Sequence, residues 1–150
     1  MKKVSFDELT SLVGQEIGVS EWVEIDQARI NQFAEATGDH QWIHVDVERA
    51  KKEMPGGKTI AHGFLTLSLI PMLGARILGI TGVSRGINYG SNKVRFTNMV
   101  PVGSRVRARQ KLLSVEPRGA GLQVINEMTI EIEGQERPAC VAETISMIYK

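Results

Sequence analysis

Hydrophobic residues follow a helical period in the first half of the chain and a period of two in the second. Ser5 and Glu8 form a capping box, and Phe6, Leu9, Leu12 and Val13 share one helical face that stops at Gly14. Ile17, Val19, Val23 and Ile25 then alternate with Gly18, Ser20, Trp22 and Glu24, which predicts a strand. Asp26 caps a second helix with Ile30, Phe33 and Ala34 inward and Gly38 as its C-terminal stop. Turn formers dominate 38–58, with room for a short helix over 46–52. The most apolar stretch follows. Phe64, Leu65, Leu67, Leu69, Ile70, Met72, Leu73, Ile77 and Leu78 cover nearly every side of a helix over 63–78, which predicts burial all round. Pro71 lies inside it and should bend it or end its first part.

From Ile87 onward the period is two. A short strand is expected over 93–97, closed by the turn Pro101-Val102-Gly103. Longer strands follow over 105–115, 122–133 and 139–149, with turns at 117–121 and at Gly134-Gln135. In the first of these, Val106, Ala108 and Leu112 alternate with Arg105, Arg107, Arg109 and Lys111. Three consecutive strands should form an antiparallel meander, and with one buried helix they give an α+β class, the sheet wrapped against the helix.

Composition narrows the function classes. The 150 residues fit one domain, 1–150, and 42% are hydrophobic, ordinary for a globular chain. With 18 Lys and Arg against 17 Asp and Glu, the net charge of +1 lacks the basic excess that nucleic-acid binding requires. The uncharged apolar stretch over 63–75 closes at Arg76, too short for the roughly 20 residues of a membrane span. Phe6-Asp7-Glu8 follows the basic N-terminus at once, so no apolar signal-peptide core is present. Cys140 is the single cysteine, which excludes an intrachain disulfide and points to a reducing, cytoplasmic setting.

The candidate chemistry gathers in one segment. All 3 histidines, His40, His44 and His62, fall within 40–62, and Asp39 adjoins the first. Asp39 and His44 can meet across a tight turn, either as a general acid–base pair or as a structural hydrogen bond. His62 and Gly63 precede the apolar helix, whose free N–H groups suit a carbonyl oxygen gaining charge. Glycine there also permits close packing. His40 and His44, with His62 or Asp39, have the types of a zinc set. Against that, Gly38 breaks the helix that would align them, and the His-Glu-x-x-His arrangement is absent. No metal is expected. Thr66 and Ser68 lie in no nucleophile elbow, Cys140 reads as a small core residue, and the glycines of 79–90 match no phosphate loop. The basic strand face reads as solvated.

The run Phe33-Ala34-Glu35-Ala36-Thr37-Gly38-Asp39-His40-Gln41-Trp42-Ile43-His44, followed by Ala50, resembles the signature of MaoC-like, R-specific enoyl-CoA hydratases. Ile60-Ala61-His62-Gly63-Phe64 is similar to the family's Ala-His-Gly segment at the start of its central helix. Tyr89-Gly90, Lys93-Val94-Arg95-Phe96 and Pro101-Val102-Gly103 resemble its next strand and turn. Gln41-Trp42 stands where Asn-Pro is usual, as in the branch related to nodulation protein N.

The resemblance implies a hot-dog fold, a curved antiparallel sheet around one long helix, paired into homodimers. It implies hydration of trans-2-enoyl thioesters, carried by coenzyme A or acyl carrier protein, to (R)-3-hydroxyacyl thioesters. Asp39 and His44 would be the catalytic pair. Gly63, His62, Trp42, Phe64 and Tyr89 would form the oxyanion and acyl-binding surroundings, and no cofactor is needed. A hot-dog thioesterase and a non-catalytic acyl-thioester binder are the alternatives.

Overall fold

The computed structural model describes residues 1–150. After β1 (Lys2–Ser5), a 3-10 segment over Phe6–Leu12 buries Leu9 and Leu12, and the Ser5 hydroxyl donates to the Glu8 carboxylate at 2.6 Å. The strand expected over 17–25 is two strands, β2 (Glu16–Val19) and β3 (Val23–Glu24). Between them Ser20 is buried, and its hydroxyl accepts from the Ala108 N–H at 2.9 Å, so a side chain takes over one ladder bond.

Helix α1 (Gln27–Thr37) starts where Asp26 Oδ1 accepts from the Arg29 N–H at 2.8 Å, and ends at Gly38 with φ +82°. A one-turn helix α2 (Trp42–Val45) follows, then α3 (Val47–Glu53), capped by Asp46 through the Arg49 N–H at 3.0 Å.

The central helix comes in two parts, α4 (Gly63–Ser68) and α5 (Ile70–Ala75), joined by Leu69 with near-helical backbone. The break falls where Pro71 has no N–H to donate back to Leu67. The helix ends before residue 78, because Leu78 opens β4 (Leu78–Thr81), which pairs in parallel with β1. Nor is it buried all round. Leu65, Leu69, Ile70 and Leu73 are in the core, but Phe64 is 66% exposed, since the sheet covers one side only.

Strands β5 (Arg85–Phe96), β6 (Arg105–Arg118), β7 (Gly121–Ile132) and β8 (Cys140–Tyr149) complete the chain. A six-stranded sheet runs β2-β6-β7-β8-β5, with β3 also on β6, and every pair is antiparallel. The expected strand over 93–97 is the end of the much longer β5. That strand is exposed along almost its whole length and carries two bulges, so its alternation is weak in the sequence.

Core residues of α4, α5, β6, β7 and β8 pack together between helix and sheet, giving the hot-dog arrangement. On the outer face, Arg105 pairs with Glu133, Arg107 with Glu131, and Arg109 with Glu16 and Glu131. Burial pushes the Glu131 carboxyl up, but hydrogen bonds from Arg107 and Arg109 outweigh it and hold the group below its ordinary value. No helix is long and apolar enough to cross a membrane.

Candidate active site

The loop from α1 to α4 folds back so that its titratable groups converge. His44, on the single turn of α2, is buried, and its Nδ1–H donates to the Ile60 carbonyl at 2.7 Å. That bond leaves the lone pair of the neutral ring on Nε2. Burial is the main influence on this imidazole and lowers its pKa, with the neighbouring His62 acting the same way. The Ile60 bond and the Asp39 charge oppose but do not cancel them.

Behind it, Gln27 Nε2 donates to the His44 carbonyl at 2.8 Å, and Gln27 Oε1 accepts from the Thr59 hydroxyl at 2.6 Å. The turn carrying His44 is therefore anchored to α1. His62 stacks on His44 with ring centroids 3.8 Å apart and planes at 23°, and it leans on Phe33. Its Nε2–H donates to the Asp39 carbonyl at 3.0 Å, fixing the backbone that carries the Asp39 carboxylate.

Asp39, His44 and His62 each bring one ligating atom within 4.8 Å of the others, a spacing open to a cation. Both imidazoles already donate to backbone carbonyls. With the rings stacked, their remaining in-plane lone pairs lie in near-parallel planes and do not converge as a tetrahedral site requires. The fourth candidate ligand, His40, turns away to Glu35 at 2.7 Å. The cluster suits proton transfer better than ligation.

A pocket of about 370 Å³ opens beside His44, bordered by Gly63, Thr66, Phe96, Asn98 and Arg137. Gly63 is the first residue of α4, so its N–H has no intrahelical acceptor. A Cβ on Gly63 would lie 3.1 Å from the Phe96 ring, so only glycine keeps this helix start clear of the pocket wall.

Residues 8–131 match the MaoC like domain family. The chain belongs to that family. It is 54% identical over 142 residues to 3-hydroxyacyl-thioester dehydratase Z of Mycobacterium tuberculosis (strain ATCC 25618 / H37Rv), covering 94% of this chain and 93% of the relative. It is 47% identical over 150 residues to nodulation protein N of Rhizobium leguminosarum bv. viciae, covering 99% and 93%. The unliganded R-hydratase PhaJ1 of Pseudomonas aeruginosa has a similar structure, with TM-score 0.74 and 24% identity over 92% of this chain and 82% of that one.

Within this MaoC-like domain the expected site residues separate. Asp39, His44 and His62 come together, and Gly63 faces the same pocket as His44. Trp42 lies under the Arg49 guanidinium, 4.0 Å from the ring centre, and lines neither this pocket nor a larger cavity of about 530 Å³ under the second half of the central helix. Phe64 points outward against Phe96, edge to face at 5.8 Å. Tyr89, on β5, borders the larger cavity instead. Thr66, Phe96, Asn98 and Arg137 were not foreseen. They are common residue types from three separate parts of the chain; Thr66 stands in no nucleophile elbow, and Phe96 stands out only within the strand segment that resembles the family's.

Proposed function

We propose that this MaoC-like domain, as one unit over 1–150, is an (R)-specific enoyl-thioester hydratase in which Asp39 and His44 are the acid–base pair. The observation that carries the reading is a neutral, buried imidazole within 4.8 Å of a carboxylate, beside a pocket that also presents the free Gly63 N–H. The named activity of the 54% identical dehydratase supports the same reaction run in reverse.

The thioester carbonyl accepts from the Gly63 N–H, which draws charge from C3 and stabilises the enolate oxygen as it forms. Asp39 and His44 hold a water between them. One removes its proton as the oxygen bonds to C3, and a proton is delivered to C2, giving the (R)-3-hydroxyacyl thioester. The two groups act as a coupled pair. His62 holds the Asp39 backbone, and Gln27 holds the His44 turn.

The substrate class is a thioester, and the carrier is coenzyme A or acyl carrier protein. The enzyme works in the cytoplasm, in keeping with its lone buried Cys140. It works as a homodimer, for which the unpaired outer edge of β5 is the support.

The test is hydration of crotonyl-CoA, followed as loss of enoyl absorbance, with wild type, Asp39→Asn and His44→Ala side by side. Each substitution should lower kcat by about 10² or more while the circular dichroism spectrum is kept. Near-normal turnover in both variants would remove Asp39 and His44 from the mechanism. Release of free thiol in place of hydration would make the protein a thioesterase.

A further inference from the structure

A larger cavity, about 530 Å³, lies under the second half of the central helix. Leu67, Ile70, Pro71 and Gly74 form one wall, the inward faces of β6, β7 and β8 form the other, and β4 with the exposed stretch 88–91 of β5 borders its mouth. Those inward faces are apolar almost throughout, as core strands should be. Here they are interrupted. On β6, Gln110 stands between the buried Ala108 and Leu112, and on β7, Asn126 stands between the buried Val124 and Met128. Thr144 on β8 is directly opposite Asn126, and these three border the cavity, with Ser146 next along β8 and Ser68, Asn88 and Ser91 around its mouth.

Gln110 is only 6% exposed. Its Nε2 donates to Asn126 Oδ1 at 2.9 Å, and its Oε1 is buried with no partner. A buried amide oxygen left unpaired is costly, and it is most easily satisfied by a donor entering the cavity. No charged side chain lines this space. A carboxylate or ammonium tail would thus lose its water without gaining a counter-charge. A hydroxyl meets the requirement. It donates and accepts at once, so it pairs with the Gln110–Asn126 couple whichever way the two amides are turned.

Position along the helix sets where that hydroxyl must be. Gly74 faces Met128, with 3.6 Å between a Cβ on the glycine and the methionine methyl, and Met128 is the register partner of Gln110. At 1.5 Å per residue, Gly74 is about 16 Å along the axis from Gly63. A chain held by its thioester at Gly63 and laid along the helix would therefore meet the polar band with its far part, not with its reacting carbons.

We propose that this cavity takes the acyl chain, and that Gln110, Asn126 and Thr144 select long chains bearing a neutral hydroxyl remote from the thioester. The inference rests on the thioester reading above and deepens it by naming the substrate class.

Calorimetric titration with saturated thioesters tests it without any turnover. Dodecanoyl-CoA is compared with a set of hydroxydodecanoyl-CoA isomers whose hydroxyl is moved along the distal half of the chain. At least one isomer should bind about tenfold more tightly than the parent, and Gln110→Met and Asn126→Leu should each abolish that preference. If no isomer binds wild type more tightly than dodecanoyl-CoA, a trapped water satisfies Gln110 and the proposal fails. It also fails if the preference survives in whichever of the two variants folds, or if dodecanoyl-CoA binds no better than coenzyme A. Crotonyl-CoA hydration by wild type separately decides the reaction itself.

Discussion

His44 links the local chemistry of the site to a measurable pH dependence. Its Nδ1–H is committed to the Ile60 carbonyl, so it can act as a base only through Nε2 and only while neutral. Burial favours the neutral form and lowers its pKa from the ordinary 6.5. Protonation removes the lone pair, so activity is lost as the pH falls, and the lowered pKa delays that loss to more acid solution. If His44 is the base of the pair, the acid limb of kcat/KM for crotonyl-CoA should thus have its midpoint below 6.5, whereas an alkaline limb in that region would make His44 the acid and Asp39 the base. The same sign holds for stability. The contribution of neutral His44 is complete above 6.5 and is lost as pH falls through its folded value, because the unfolded chain then binds the extra proton. Asp39 and His44 were legible as a pair because chemistry-bearing residues cluster in so few positions. Trp42 was not, because what fixes its ring is a guanidinium from α3. Gln110 escaped notice for a similar reason. It interrupts the alternation of β6 at a single inward position, which by itself reads as one more polar residue of a basic strand, and its meaning depends on Asn126 across the sheet.

Elements were readable where a local cap or period defines them and unreadable where a distant partner does, and the turn into β7 shows how strict such a partner can be. A Cβ on Gly121 would fall 2.5 Å from the Ile148 carbonyl oxygen and 2.8 Å from the Tyr149 ring. The carbonyl belongs to β8, which is held on one side by β7 and on the other by β5, so it cannot withdraw without loosening both ladders. Gly121→Ala should therefore cost about 1–3 kcal/mol, with Tm falling by about 2–4 °C per kcal/mol. Gly90→Ala, where a Cβ meets nothing within 4 Å, should leave Tm almost unchanged. Equal effects in a thermal melt would refute the steric argument. Asp26, Asp46 and Gly38 announce α1 and α3 through short-range hydrogen bonds and a left-handed turn, so those helices were foreseen. Helix α2 has a single turn and no period to detect. The parallel pairing of β1 with β4 joins Lys2 to Leu78, and no local pattern could reveal it or show that the central helix must stop short of residue 78.

At the scale of the whole molecule, the two edges of the sheet are unequal. One edge is made by the short β2 and β3, which leave little backbone to recruit another strand. The other is β5, from Arg85 to Phe96, hydrogen-bonded to β8 on one side and free on the other. Ile87 and Tyr89 on this strand are 50% and 70% exposed, and Phe64 and Phe96 extend the apolar surface past the end of the active-site pocket. A long open edge with aromatic flanks is unstable against association unless something pairs with it, and a second copy of the same strand is the partner always at hand. Pairing two β5 strands would close the sheet across a two-fold axis and cover Phe64 and Phe96, which border or adjoin the pocket containing His44. The homodimer should therefore be part of the working site. Sedimentation should give a mass of twice 16.5 kDa, and Tm should rise with protein concentration, because association draws on the folded state alone. Ile87→Asp places a charge on the shared edge and should return the mass to that of one chain, abolish the concentration dependence and reduce kcat/KM. A wild-type protein that sediments as a single chain at every concentration, with full activity, would show that the β5 edge stays open and that one chain completes the site alone.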